Sequence, residues 1–100
     1  MQQDTIRKIQ DALARTCADP RIKRIVLFGS HAKGEAQPSS DIDLYLDSDG
    51  QIRGLEFFAF KSRLEEALQA EIDLIPDLDV VSGSEVENEI IRYGVVVYAA

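Results

Sequence analysis

Ile25-Val26-Leu27-Phe28-Gly29-Ser30, followed after ten residues by Asp41-Ile42-Asp43-Leu44-Tyr45-Leu46-Asp47, is the stretch that decides the fold. Ile25 to Phe28 is a continuous apolar run of strand length, and Gly29-Ser30 closes it with a turn signal. The second block alternates strictly. In a strand, Ile42, Leu44 and Leu46 face one side, and Asp41, Asp43 and Tyr45 face the other. An apolar side of this kind fixes register, because a slip of one residue would turn all three into solvent. Between the two blocks, His31 to Ser40 is polar and contains Gly34 and Pro38, which reads as a loop with room for one helical turn.

Outward from this centre, helix and strand patterns alternate. Ile6, Ile9, Leu13 and Cys17 recur at spacings of three and four, which predicts a helix over 4–18 that begins near Asp4 and stops at Asp19-Pro20. Leu55 to Leu68 predicts a second helix, with Leu55, Phe58, Leu64, Ala67 and Leu68 on its apolar face and Phe57 and Phe60 widening it. Lys61, Arg63, Glu65 and Glu66 read as its solvated side. Glu71 to Ile75 is a short strand in which Ile72 and Leu74 point one way and Asp73 the other, with Pro76-Asp77 closing it. Ser82 or Ser84 can cap a last helix containing Val86, Ile90 and Ile91; Gly94 stops it, and Val95 to Tyr98 forms a terminal strand suited to a sheet edge. This alternation predicts an α/β fold, a mixed sheet with helices packed on it.

One domain, residues 1–100, is expected from the length. With 45% hydrophobic and 29% charged residues, the chain is globular rather than disordered. No segment approaches the roughly 18 consecutive apolar residues of a membrane span, and no apolar signal core follows the N-terminus, so a cytoplasmic protein is expected. Cys17 is the only cysteine, so neither an internal disulfide nor a thiolate metal cage can form. The net charge of −7 disfavours direct binding to DNA or RNA and suits metal ions or a basic protein partner.

The chemistry rests on carboxylates. Asp41 and Asp43, two apart on a strand, project from one face and repel each other when ionised. A hard divalent cation with oxygen ligands relieves that repulsion, Mg²⁺ above all. Asp73 alternates with apolar neighbours in the same way, and all three aspartates share one surface if the two strands are neighbours. Taken alone, Asp41-x-Asp43 reads first as the outer face of a half-solvated strand, and Gly29-Ser30 as an ordinary strand-ending turn. Their order changes the weight: strand, Gly-Ser, polar loop, Asp-x-Asp, helix, then Asp73 in an apolar strand.

That order, from Gly29-Ser30-His31-Ala32-Lys33-Gly34 into Ser39-Ser40-Asp41-Ile42-Asp43-Leu44, resembles the signature of the DNA polymerase β-like nucleotidyltransferases. The length resembles the minimal nucleotidyltransferase subgroup, whose members are often antitoxins paired with HEPN-domain toxins. The resemblance runs from about Ile25 to Tyr98. It implies a polymerase β-like core, ATP as substrate and two Mg²⁺ ions. Asp41, Asp43 and Asp73 would be the catalytic and metal-holding residues, with Asp73 also activating the acceptor hydroxyl. Gly29 and Ser30 would meet the β and γ phosphates, and Lys33 and Ser40 would also contact the nucleotide. Many relatives carry arginine where this chain has His31 or Lys33, and a solvated loop explains those two equally well. Arg53 and Lys61 could contact phosphate but have no support from the motif, so they read as surface residues.

A hundred residues leave no room for the second domain with which larger relatives hold the acceptor, so a partner protein is the natural candidate to present it. The resemblance then implies a protein adenylyltransferase antitoxin, which transfers AMP to a tyrosine of a HEPN ribonuclease toxin within a hetero-oligomer. Two alternatives stay open: neutralisation by binding alone, and a partner-dependent enzyme acting on a small molecule. Tyr45 and Tyr98 are aromatics of the kind that interfaces enrich, although strand packing explains both.

Overall fold

Leu44 and Leu46 have no exposed surface, and Ile42 is almost as deep. The strand that carries them, Ile42–Asp47, is flanked on both sides by other strands. The computed structural model describes residues 2–16, 19–34 and 41–99. Its elements are α1 (Gln2–Thr16), β1 (Arg24–Phe28), α2 (Gly29–Lys33), β2 (Ile42–Asp47), α3 (Leu55–Leu68), β3 (Ile72–Pro76), a 3₁₀ turn (Asp77–Asp79), α4 (Glu85–Tyr93) and β4 (Val95–Ala99). The four strands form one mixed sheet in the order β3-β2-β1-β4. β1 runs antiparallel to β2 and β4, while β2 and β3 are parallel and joined through α3.

The alternation in β2 divides the sheet into two faces. Ile25 and Leu27 lie opposite Leu46 and Leu44, and Ile72 and Leu74 lie beside Ile42 and Leu44. These residues meet Ile9, Ala12 and Leu13 of α1 and Phe57, Phe60, Leu64 and Leu68 of α3 in one core. Burial of each of the larger aliphatic and aromatic side chains contributes about 1.5–3 kcal/mol. The other face carries Val26, Phe28, Asp43, Tyr45 and Asp73, with α2 and α4 over part of it.

Several boundaries move. The first helix spans Gln2–Thr16 rather than 4–18, and Cys17 lies outside the described residues. The third strand keeps Pro76 as its last residue, which an edge strand tolerates because the missing N–H breaks no interior ladder. In α3 the apolar face is set differently. Phe57, Phe60, Leu64 and Leu68 are buried, while Leu55 is 89% and Phe58 62% exposed. Spacings of three, four and four make a single stripe, and Leu55 and Phe58 fall off it; Phe58 instead packs edge-on against the Phe57 ring. Ser84, not Ser82, caps α4, accepting the Glu87 N–H at 3.2 Å. That helix buries none of its residues fully, and Ile91 is 72% exposed.

β4 is an edge strand, with Val97 in the core and Val96 turned outward beside a bulge opposite Ile25 and Val26. Tyr98 packs against the core, and Arg24 lies 5.9 Å from the Tyr45 ring centre. Local packing thus accounts for both tyrosines. Among the described residues no helix is long and apolar enough to cross a membrane.

Leu64 joins α3 to the sheet and has no exposed surface. Leu64→Ala is expected to cost about 2–5 kcal/mol, read as a lower urea midpoint with an unchanged m-value.

Candidate active site

Register brings the carboxylates together. Asp43 and Asp73 are direct partners in the parallel ladder between β2 and β3, so their side chains leave the same face of the sheet. Asp41 stands exposed just before β2, where the next residue's N–H donates to the Glu71 carbonyl at 3.2 Å. On the other side of Asp43, Phe28 is its antiparallel partner, which carries Gly29 to the head of the same site.

Gly29 lies against this carboxylate. It has φ +72, and a Cβ built on it would overlap the Asp43 carboxylate. Only glycine offers both that backbone conformation and that clearance. The chain turns here directly into α2, so the one helical turn that the polar stretch from His31 had room for begins earlier, at Gly29. The helix ends at Gly34 in the left-handed conformation.

The electrostatics follow from this crowding. Asp43 is half-buried, and burial pushes its carboxyl above the usual range; the charges of Asp73 and Asp41 push it further, with a smaller push from Glu89, while His31 pulls the other way. Added positive charge beside Asp43 is therefore favourable. Among the described residues no three His, Cys, Asp or Glu side chains are grouped closely enough to hold a metal ion between them. Asp43 and Asp73 still present carboxylate oxygens, which are hard donors, from the same face of the sheet.

Lys33 is engaged within the fold. Its Nζ lies 3.0 Å from Glu89 Oε1 and 5.4 Å from the centre of the Tyr93 ring, which ties α2 to α4. The other oxygen, Glu89 Oε2, is buried with no hydrogen-bond partner. Ser40 lies outside the described residues. Sequence reasoning missed two residues here. Glu89 gave no signal, since a glutamate on an exposed helix is ordinary. Lys61, assigned to the surface, lines a pocket of about 570 Å³ together with Asp41 and Asp73. A larger pocket, about 630 Å³, lies at the opposite end of the sheet, where Arg21 bridges Asp19 and Glu56. It contains none of the aspartates of the motif.

Residues 7–100 match the family model described as polymerase beta, nucleotidyltransferase. The chain belongs to this family. Over 62 residues it is 32% identical to the protein adenylyltransferase MntA of Thermococcus cleftensis, covering 62% of this chain and 63% of that protein. Over 55 residues it is 38% identical to a Methanocaldococcus jannaschii protein provisionally named a protein adenylyltransferase, covering 55% of this chain and 64% of the relative. The chain thus spans under two thirds of the length of these relatives. In solved structures, the same fold recurs in a toxin–antitoxin crystal structure with AMP-PNP, with a TM-score of 0.74, 21% identity, and coverage of 95% of this chain and 73% of the other. It recurs again in a complex of a tri-AMPylated Shewanella oneidensis HEPN toxin with MNT antitoxin, with a TM-score of 0.68, 21% identity, and coverage of 100% and 74%. These likenesses establish the nucleotidyltransferase fold, with its mixed four-stranded sheet and packed helices.

A carboxyl that holds its proton more tightly when folded stabilises the fold below its unfolded pKa. That contribution is lost as pH rises through the raised value. Asp43→Asn is therefore expected to raise Tm at neutral pH without divalent cation, and the gain should vanish below the ordinary carboxylate range. A variant less stable than the parent at neutral pH would contradict the crowding described above.

Proposed function

We propose that this chain is a metal-dependent protein adenylyltransferase that moves AMP from ATP to a tyrosine hydroxyl of a HEPN-type toxin, and so acts as its antitoxin. The observation that carries the reading is the pairing of Asp43 with Asp73 in adjacent parallel strands, with the bare backbone of Gly29 against the Asp43 carboxylate. Membership of the nucleotidyltransferase family supports the reaction class. The relative named MntA, and the AMPylated HEPN toxin in complex with MNT antitoxin, support the acceptor and the partner. The structure with AMP-PNP supports ATP as the donor.

Divalent metal fits the residues present. The donors are hard carboxylate oxygens, and the raised carboxyl of Asp43 marks a place where added positive charge is favourable. Asp41 and Asp43 would hold one ion, and Asp73 would join them in holding a second. When bound, such a pair stabilises the attacking and leaving oxygens of an in-line displacement.

The chain's own groups do the remaining work. Gly29 and Ser30, at the head of α2, offer backbone N–H groups and a hydroxyl to the terminal phosphates. Asp73 accepts the proton of the incoming hydroxyl. The acceptor oxygen bonds to the α-phosphorus, the bond to the β-phosphate oxygen breaks, and pyrophosphate leaves. A net charge of −7 favours a basic partner.

Intact-mass spectrometry of the HEPN partner after incubation with this protein, ATP and Mg²⁺ tests the reading. One or more AMP units should be added to the partner, and none by the Asp41→Ala/Asp43→Ala variant. Tight binding with no mass gain would favour neutralisation by covering the toxin. Mg²⁺ should also raise the Tm of the parent and leave that of the double variant unchanged, since a ligand that binds only the native state stabilises it. Equal shifts would remove the metal site.

A further inference from the structure

The pocket of about 570 Å³ between α3 and β3 lies beyond Asp73, on the far side of the carboxylates from Gly29. Its walls carry Asp41, Asp73, Glu65 and Glu71, with Lys61 as the one cation. The placement of Lys61 is fixed by its helix. Phe60 and Leu64 on either side of it in sequence are buried in the core, and Glu65, one turn later, accepts the Ile72 N–H at 3.1 Å. α3 is thus pinned to the start of β3, beside Asp73. Despite four nearby carboxylates, Lys61 forms no ion pair among the described residues. Its ammonium remains available to a group that enters the pocket.

In-line displacement gives that pocket a direction. Pyrophosphate departs toward the residues that hold the terminal phosphates, and the nucleophile arrives from the opposite side. With Gly29 and Ser30 on the β1 side, the opposite side is β3. We propose that this pocket is the acceptor port and that Lys61 is a further catalytic residue, whose ammonium meets the acceptor oxygen as it loses its proton to Asp73. The inference rests on the transfer reaction proposed above. An ammonium at that point stabilises the negative charge that develops on a phenolic oxygen before the bond to phosphorus is complete. The surplus of carboxylates in the walls also selects the acceptor's surroundings, favouring a hydroxyl on a segment with flanking lysine or arginine.

Steady-state AMP transfer to the HEPN partner, run alongside titration with α,β-methylene-ATP, tests the assignment. Lys61→Met should lower kcat by about 10²-fold, with unchanged affinity for the analogue and an unchanged Tm. Lys61→Arg should restore most of the rate, and Arg53→Met should behave as the parent. A Lys61→Met enzyme with normal kcat overturns the proposal. So does one whose affinity for the analogue falls by the same factor as its rate, which would make Lys61 a nucleotide contact. A parent protein that transfers no AMP removes the transfer reaction itself, and Lys61's role with it.

Discussion

The register of β2 governs what surrounds it. Its apolar residues are sealed against α1 and α3, and each lies opposite or beside another apolar residue in β1 or β3. A slip of one position would place Asp43 and Tyr45 in the core at a cost of several kcal/mol each. Because that slip is closed, Asp43 is held on the open face, abreast of Asp73 and next to the turn at Gly29. The site is an output of core packing on the opposite face. Its precision comes from residues that never contact a substrate.

Stability and chemistry pull in different directions at this point. Asp43 is half-buried among like charges, and the fold tolerates the arrangement. The core holds against this local repulsion because the two faces of the sheet are separate. Lys33, the nearest lysine in sequence, is engaged with Glu89 and Tyr93.

Much of this was legible in the sequence because it rests on periodicity. Alternation in Ile42 to Leu46 and in Ile72 to Leu74 identified two strands and the aspartates on their common face, and the observed parallel pairing satisfies the condition that they be neighbours. The apolar run from Ile25 and the stop at Gly94 were read in the same way. What escaped depends on helix rotation and on distance through space. Leu55 and Phe58 looked as apolar as Phe57 and Phe60, and only docking against the sheet selected the second pair. Lys61 looked like any lysine on a solvated helix face, since nothing local records that α3 lies beside Asp73. The contact of Lys33 with Glu89 and Tyr93 on α4 likewise depends on a distance that the sequence does not record.

The pairing of β1 with β4 has a kinetic consequence. Arg24 faces Ala99, so this ladder closes a loop spanning most of the chain, whereas β2 reaches β3 through a single helix. Long loops lose more entropy on closure, and contacts of that kind form late. The β2–α3–β3 unit can therefore assemble before β4 arrives, leaving the edge of β1 open in the meantime. The bulge beside Val26 interrupts the ladder on that side. A partly folded chain would present the carboxylate-bearing half of the sheet already ordered, with its stickiest edge still waiting to be covered.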